Sequence, residues 1–253
     1  MDAFCGTPGK DGAGGTLGGV VNSYWQGTVN APSGSTSLTL SARAGAANNI
    51  AVGDLLLVIQ MQDGTQDSSN TSTYGDGTGI GSGSTSLGSA GLWEYAVATS
   101  ALAAFPGVVN INGQGPGGGL LNSYSNADAA GVNGARRFQV IRVPQYSSAT
   151  LGPTLSCLAW QGSVAPAVAW VGGILAVDVQ NTLTLAGATV SVDALGFRAG
   201  QGRQLGGGAA GAGDYVSLST INAHGRAAPL ANHHDATALA ALEIGRASCR
   251  ERV

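Results

Sequence analysis

Charge is what this sequence has least of. Asp, Glu, Lys and Arg make up only 10% of its 253 residues, where soluble domains usually carry ~25%. Lysine occurs once, as Lys10, and the net charge is −3. With no basic patch, nucleic acid is not expected as a partner. A surface wetted by Ser, Thr, Asn and Gln rather than by Lys and Glu points to an extracellular setting. Cysteine is also sparse: Cys5, Cys157 and Cys249. Their spacing offers no zinc site. Cys5 and Cys157 fit either one disulfide in an oxidising compartment or two unpaired thiols. The three histidines, His224, His233 and His234, all fall near the end of the chain. That leaves the rest of the sequence without the base of a Ser-His-Asp or Cys-His arrangement. Long apolar runs are missing too. The longest, residues 165–177, contains Pro166, Gly172 and Gly173 and is shorter than the ~20 residues that cross a bilayer. Met1-Asp2-Ala3-Phe4 has neither the basic start nor the apolar core of a signal peptide. An exported parent protein is therefore expected to carry its signal outside this frame.

Glycine is what the sequence has in excess, at 42 residues, more than twice the usual ~7%. Hydrophobic residues reach 43%, and disordered chains lack such a content. The combination predicts ordered β structure interrupted by tight turns. Residues 1–19 read as a loose Gly-rich arm, in which Gly6, Gly9, Gly12 and Gly15 keep a period of three by chance. Residues 20–152 read as a β domain, a sandwich or barrel. Val20-Val21 with Tyr24-Trp25 forms a short strand, and Ser37 to Ser41 alternates with period two. Leu55 to Ile59 is continuously apolar, as in a strand buried on both faces. Gly64 to Ser89 reads as a long polar loop. Further strands are expected at Leu92 to Val97, Val108 to Ile111 and Phe138 to Val143, the last ended by Pro144. Asn22-Ser-Tyr24 and Asn122-Ser-Tyr124 echo each other without implying duplication.

Residues 153–222 change character. Gly173 to Val179, Thr182 to Leu185 and Ala188 to Val192 are short apolar strands at close spacing. They predict the start of a parallel β-helix or solenoid, followed by a Gly/Ala-rich loop over 200–213. Residues 223–253 stand apart. The segment from Ala223 to Leu242 is Ala-rich with helical spacing, and a frameshift near Gly225 would account for the change. Five of the eleven residues from Glu243 to Val253 are charged. That stretch is similar to the translation of a common short-read sequencing adapter.

Four segments carry a family resemblance. They are Asp54 to Gln62, the Tyr74-Gly-Asp76 loop, Phe138 to Ser148, and Gly173 to Val179 with Leu195-Gly-Phe-Arg198. Together they resemble the N-terminal β region of very large exported repeat proteins of Gram-negative bacteria. The likeness covers roughly residues 5 to 222. It implies an export signal upstream, Gly-rich segments and Ig-like repeats downstream, and a secreted or outer-surface location. It also implies a non-catalytic structural or adhesive module whose partners are surface glycans or another cell-surface protein. The competing expectation is a carbohydrate-active β-helix enzyme, a polysaccharide lyase or hydrolase. Paired carboxylates at Asp178 and Asp193, with Arg198 nearby, would serve such chemistry.

Other candidate sites follow from residue type. Asp63, Asp67, Asn70 and Asp76 offer oxygen ligands along one loop, a candidate calcium site set against an ordinary solvated loop. Gly206-x-Gly208-x-x-Gly211 matches a dinucleotide fingerprint in letters only, without the flanking strand and helix. His233-His234-Asp235 could bind a metal but lies in the suspect tail. Tyr24, Trp25, Trp93 and Trp160 are either core or platforms for stacking sugars.

Overall fold

The computed structural model describes residues 6–67, 83–130, 133–161, 170–193 and 195–196, together with the strand Leu242–Ile244. The described residues form an all-β protein. Twelve strands follow in chain order: β1 (Ala13–Val20), β2 (Ser23–Gly27), β3 (Ser37–Gly45), β4 (Leu55–Gln62), β5 (Thr65–Asp67) and β6 (Gly83–Ser86), then β7 (Trp93–Ala98), β8 (Gly107–Asn112), β9 (Arg137–Val143), β10 (Gln145–Ser156), β11 (Leu175–Thr184) and β12 (Leu242–Ile244). Six of them close into an antiparallel barrel in the order β2-β3-β8-β7-β4-β9. Closure leaves this barrel no free sheet edge. The sandwich alternative is thereby set aside.

A second sheet runs β1-β10-β11-β12, with every pair parallel. Parallel neighbours need a long crossover between them. Between β1 and β10 that crossover is the entire barrel. Leucine, valine and isoleucine place the core in three clusters. Inside the barrel, Leu56 and Val58 meet Trp25, Leu38, Leu40, Val109, Phe138 and Val140. On its outside, Leu55, Leu57, Ile59 and Met61 lie with Ile141 and Val143 beneath Trp160, Trp170, Val171 and Ile174. The third cluster joins Leu17, Leu151, Leu155 and Cys157 to Leu175 and Val177 within the parallel sheet. The continuous apolar run of β4 is explained by the first two clusters. Alternate side chains face two different cores, and every residue of β4 and of β9 is buried.

The close fit inside the barrel has a measurable consequence. A Cβ built on Gly27 would overlap the ring of Phe138, which is fully buried. Gly27→Ala is expected to destabilise the protein by about 1–3 kcal/mol, the range for overpacking a dense core. Urea denaturation of the variant measures this directly. A loss below about 0.5 kcal/mol, as at ordinary surface sites, would show that the barrel interior is slack.

Several sequence expectations are corrected. Most of the described part of the expected loose arm is a paired strand. Ala13–Val20 is β1 and pairs with β10. Gly6, Gly9, Gly12 and Gly15 all take positive φ. Gly15 and Gly19 have φ of +61° and +62°, and each stands where the register shifts against β10. A left-handed residue in a bulge favours glycine. Val20 and Tyr24 belong to different strands, because the chain leaves the parallel sheet and enters the barrel between them. Gly64 to Ser89 is not all loop, since β5 pairs with β6. The boundary drawn at residues 152–153 falls inside β10. Pro153 is tolerated there because it is exposed beside a register irregularity. The two expected strands at residues 173–179 and 182–185 are one, β11. Ala188 to Val192 forms no strand, although Ala188, Val190 and Val192 pack on the third cluster. Of the suspect tail, only Leu242–Ile244 is described.

Candidate functional site

Buried polar side chains cluster where the barrel meets the parallel sheet. Asp54 immediately precedes β4, and the Arg142 side chain comes from β9 beside it. Arg142 Nε donates to Asp54 Oδ2 at 2.8 Å, and Nη2 donates to Oδ1 at 3.2 Å. Lys10 Nζ donates to the same Oδ1 at 2.5 Å and to the Val52 carbonyl at 2.7 Å. The Ala51 N–H completes the shell of Oδ2 at 2.7 Å. Arg142 Nη2 also donates to Asp11 Oδ1 at 2.5 Å, and Asp11 Oδ2 accepts the Gln145 N–H at 2.7 Å. Two cations and two carboxylates thus balance in one network. Burial pushes the Asp54 carboxyl upward, but its hydrogen bonds from Arg142, Lys10 and Ala51 outweigh burial and hold it below its ordinary value. Burial likewise opposes the charge on Arg142, and its bonds to Asp54 and Asp11 hold the guanidinium charged.

Three side chains then stitch the barrel wall to the second sheet and the chain leading into it, and a fourth joins two strands within that sheet. Asn22 Nδ2 donates to the Arg142 and Ala176 carbonyls at 3.1 and 2.6 Å, while its Oδ1 accepts the Ala176 N–H at 3.0 Å. Gln139 exchanges a matching pair with Gly172, at 2.9 and 2.8 Å. Tyr24 donates its hydroxyl to the Ile174 carbonyl at 2.7 Å. Gln145 Nε2 donates to Asp178 Oδ2 at 2.9 Å. An amide that donates and accepts across one residue imitates a strand neighbour. Residues 172–176 are therefore held as if paired to the barrel. Elsewhere, the buried Glu94 accepts the Leu121 and Asn122 N–H groups at 2.7 and 2.9 Å.

Only some of the predicted site residues lie among the described residues. Asp63 Oδ2 accepts the Ser89 N–H at 2.9 Å and its hydroxyl at 2.5 Å. Asp67 lies on β5, while Asn70 and Asp76 lie outside the described residues. Among the described residues, no three His, Cys, Asp or Glu side chains gather as metal ligands. Asp178 is buried against Gln145, Asp193 is exposed, and Arg198 lies outside the described residues, as do residues 206–211 and 233–235. Lys10 is committed to Asp54. Cys157 is a free, buried thiol, and burial pushes its pKa up to about 11. Cys5 lies outside the described residues. Tyr24, Trp25 and Trp160 are core residues, whereas Trp93 is exposed. Among the described residues, no helix is long and apolar enough to cross a membrane.

The interlocking residues Asn22, Asp54, Gln139 and Arg142 were not singled out from sequence. Their signal is present nonetheless. Each is a polar residue within or bordering an apolar strand, and a buried polar group needs a partner. No protein-family model, characterised protein or solved structure matches this chain.

Proposed function

We propose that this chain is a non-catalytic structural or adhesive module, the N-terminal β region of a large secreted or cell-surface bacterial protein. One observation carries the reading. The buried charged and amide side chains at the barrel–sheet junction, Asn22, Asp54, Gln139, Arg142, Gln145 and Asp178, bond to one another, to backbone groups and, through Arg142, to Asp11 at the surface. Their donors and acceptors are engaged in holding strands together, which is the work of a scaffold. The low charge and the hydroxyl- and amide-rich composition support an extracellular setting. The parallel run β1-β10-β11 supports the finer proposal that a solenoid starts here, since each strand offers its edge to the next. Surface glycans or another cell-surface protein are the proposed partners.

Two measurements test this. Antibodies to the chain should label intact, unpermeabilised cells of the organism that makes it. The purified chain should release no fragments from acidic polysaccharides. Cleavage that disappears in Asp178→Asn would replace the scaffold reading with a carbohydrate-active enzyme, and absence of labelling would remove the cell-surface location.

A further inference from the structure

From Gly172 to Asp178 the extended chain presents its main-chain groups alternately to two edges. The even positions face the barrel and β10. Gly172 and Ala176 each exchange a donor and an acceptor with a buried amide, Gln139 and Asn22 respectively. The Ile174 carbonyl accepts the Tyr24 hydroxyl at 2.7 Å, and the Asp178 N–H donates to the Pro144 carbonyl at 2.9 Å. Every even position on that edge is thus engaged, and the odd positions turn to the opposite edge. There the Gly173 N–H donates to the Leu158 carbonyl at 2.7 Å. Leu175 and Val177 meet β12 in a parallel ladder, in the register Leu175↔Leu242, Ala176↔Glu243 and Val177↔Ile244.

This second edge requires a strand. Leu175, Ala176 and Val177 are at most 3% exposed. Leu175 and Val177 belong to the third core cluster and Ala176 to the second. Buried main-chain groups need partners, and on this side only an added strand can supply them in series. In a parallel ladder of this register, the residue opposite Ala176 donates its N–H to the Leu175 carbonyl and accepts the Val177 N–H. Those two bonds need no particular side chain. They need an N–H, which proline lacks. Positions opposite Leu175 and Val177 continue the face of the third cluster, which favours apolar residues there. Leu242-Glu243-Ile244 has that pattern in sequence, and it covers the edge with three residues.

We infer that the Leu175–Val177 edge is a strand-acceptor site whose ligand is an extended polypeptide. The ligand enters parallel to β11 and carries apolar residues on either side of one variable, non-proline residue. Leu242–Ile244 occupies the site in this chain, and the same edge takes such a segment from another polypeptide. This deepens the proposed function and rests on it for a protein partner in place of a glycan, while its test is separate. Amide hydrogen exchange is followed by NMR on the full ¹⁵N-labelled chain. Glu243→Pro removes the N–H that the Leu175 carbonyl accepts. The Val177 amide should then exchange about tenfold faster or more, while the Ala176 amide, held by Asn22, and the amides of β4 keep their rates. Glu243→Thr, which retains the N–H, should leave Val177 at its original rate. A blocked peptide of residues 240–246, added to the Glu243→Pro chain, should slow Val177 again and do so saturably. The same peptide carrying Glu243→Pro should not. An unchanged Val177 rate in Glu243→Pro overturns the inference, as does loss of protection throughout β4, or a Glu243→Thr chain as fast as Glu243→Pro. Failure of the peptide to restore protection, or equal restoration by both peptides, overturns it as well. Labelling of intact cells decides the cell-surface reading whichever way these rates fall.

Discussion

Asp54→Asn is expected to lower the stability of the folded protein by about 3–5 kcal/mol, the range for breaking one partner out of a buried ion pair. Asn keeps the shape of Asp but not its charge. Arg142, with a side chain only 7% exposed, loses the anion that it grips through two nitrogens and retains only Asp11. Lys10 loses its ion-pair partner as well, and with it part of the anchor of the segment before β1. For a chain of this size each kcal/mol moves the melting temperature by roughly 2–4 °C, so a drop of roughly 6–20 °C is expected. Acid should expose the same group. Its folded-state pKa is depressed, so at low pH the unfolded chain takes up the proton more readily than the folded one. The stabilisation is fully present above the unfolded value of ~3.9 and is lost as pH falls through the lower folded value. Melting temperature should therefore change little between pH 7 and about 5, then fall below about pH 4. In Asp54→Asn that acid limb should be shallower. An equally steep limb would show that Asp54 is not held ionised by Arg142 and Lys10.

Asn22→Ala should have an effect of similar size through a different mechanism. The substitution removes no charge and little volume. It strands the Ala176 N–H, the Ala176 carbonyl and the Arg142 carbonyl where Asn22 itself is fully buried. Each buried group left without a partner costs about 1–3 kcal/mol. A total of about 3 kcal/mol or more is expected by chemical denaturation, on the same basis. A loss near 0.5 kcal/mol would mean that water or a small shift repairs the junction, and that the amide is not a structural tie.

These two sites also show how far sequence reasoning reaches. The central strands were readable. Leu55 to Ile59 announced a strand buried on both faces and Phe138 to Val143 a further strand, while their neighbours in the barrel were not readable from the pattern. Barrel closure was not decided by pattern, because a sandwich and a barrel share the same period of two. The fate of β1 was hidden as well. Six of its residues pair with β10, and AGGTLGGV carries almost no hydrophobic signal. Its pairing partner lies more than a hundred residues away, beyond the reach of local propensity. The polar network was half visible. Gln139 and Arg142 interrupt an apolar run, which says that they need partners, but only the fold says that those partners are Gly172 and Asp54. Trp93 differs from Trp25 solely in the face of its strand, so its exposure could not be read without knowing which neighbours line the barrel.

Barrel and parallel sheet, joined by buried side-chain bonds instead of a flexible hinge, should unfold as a single cooperative scaffold. Native-state hydrogen exchange across a series of low denaturant concentrations tests it most directly. The claim predicts that the slowest amides of β10 and β11 share one opening free energy with those of β4 and β9. Asn22→Ala should lower the protection of all four strands together. Exchange of β10 and β11 through a separate, lower-energy opening, with the barrel amides still protected, would contradict it.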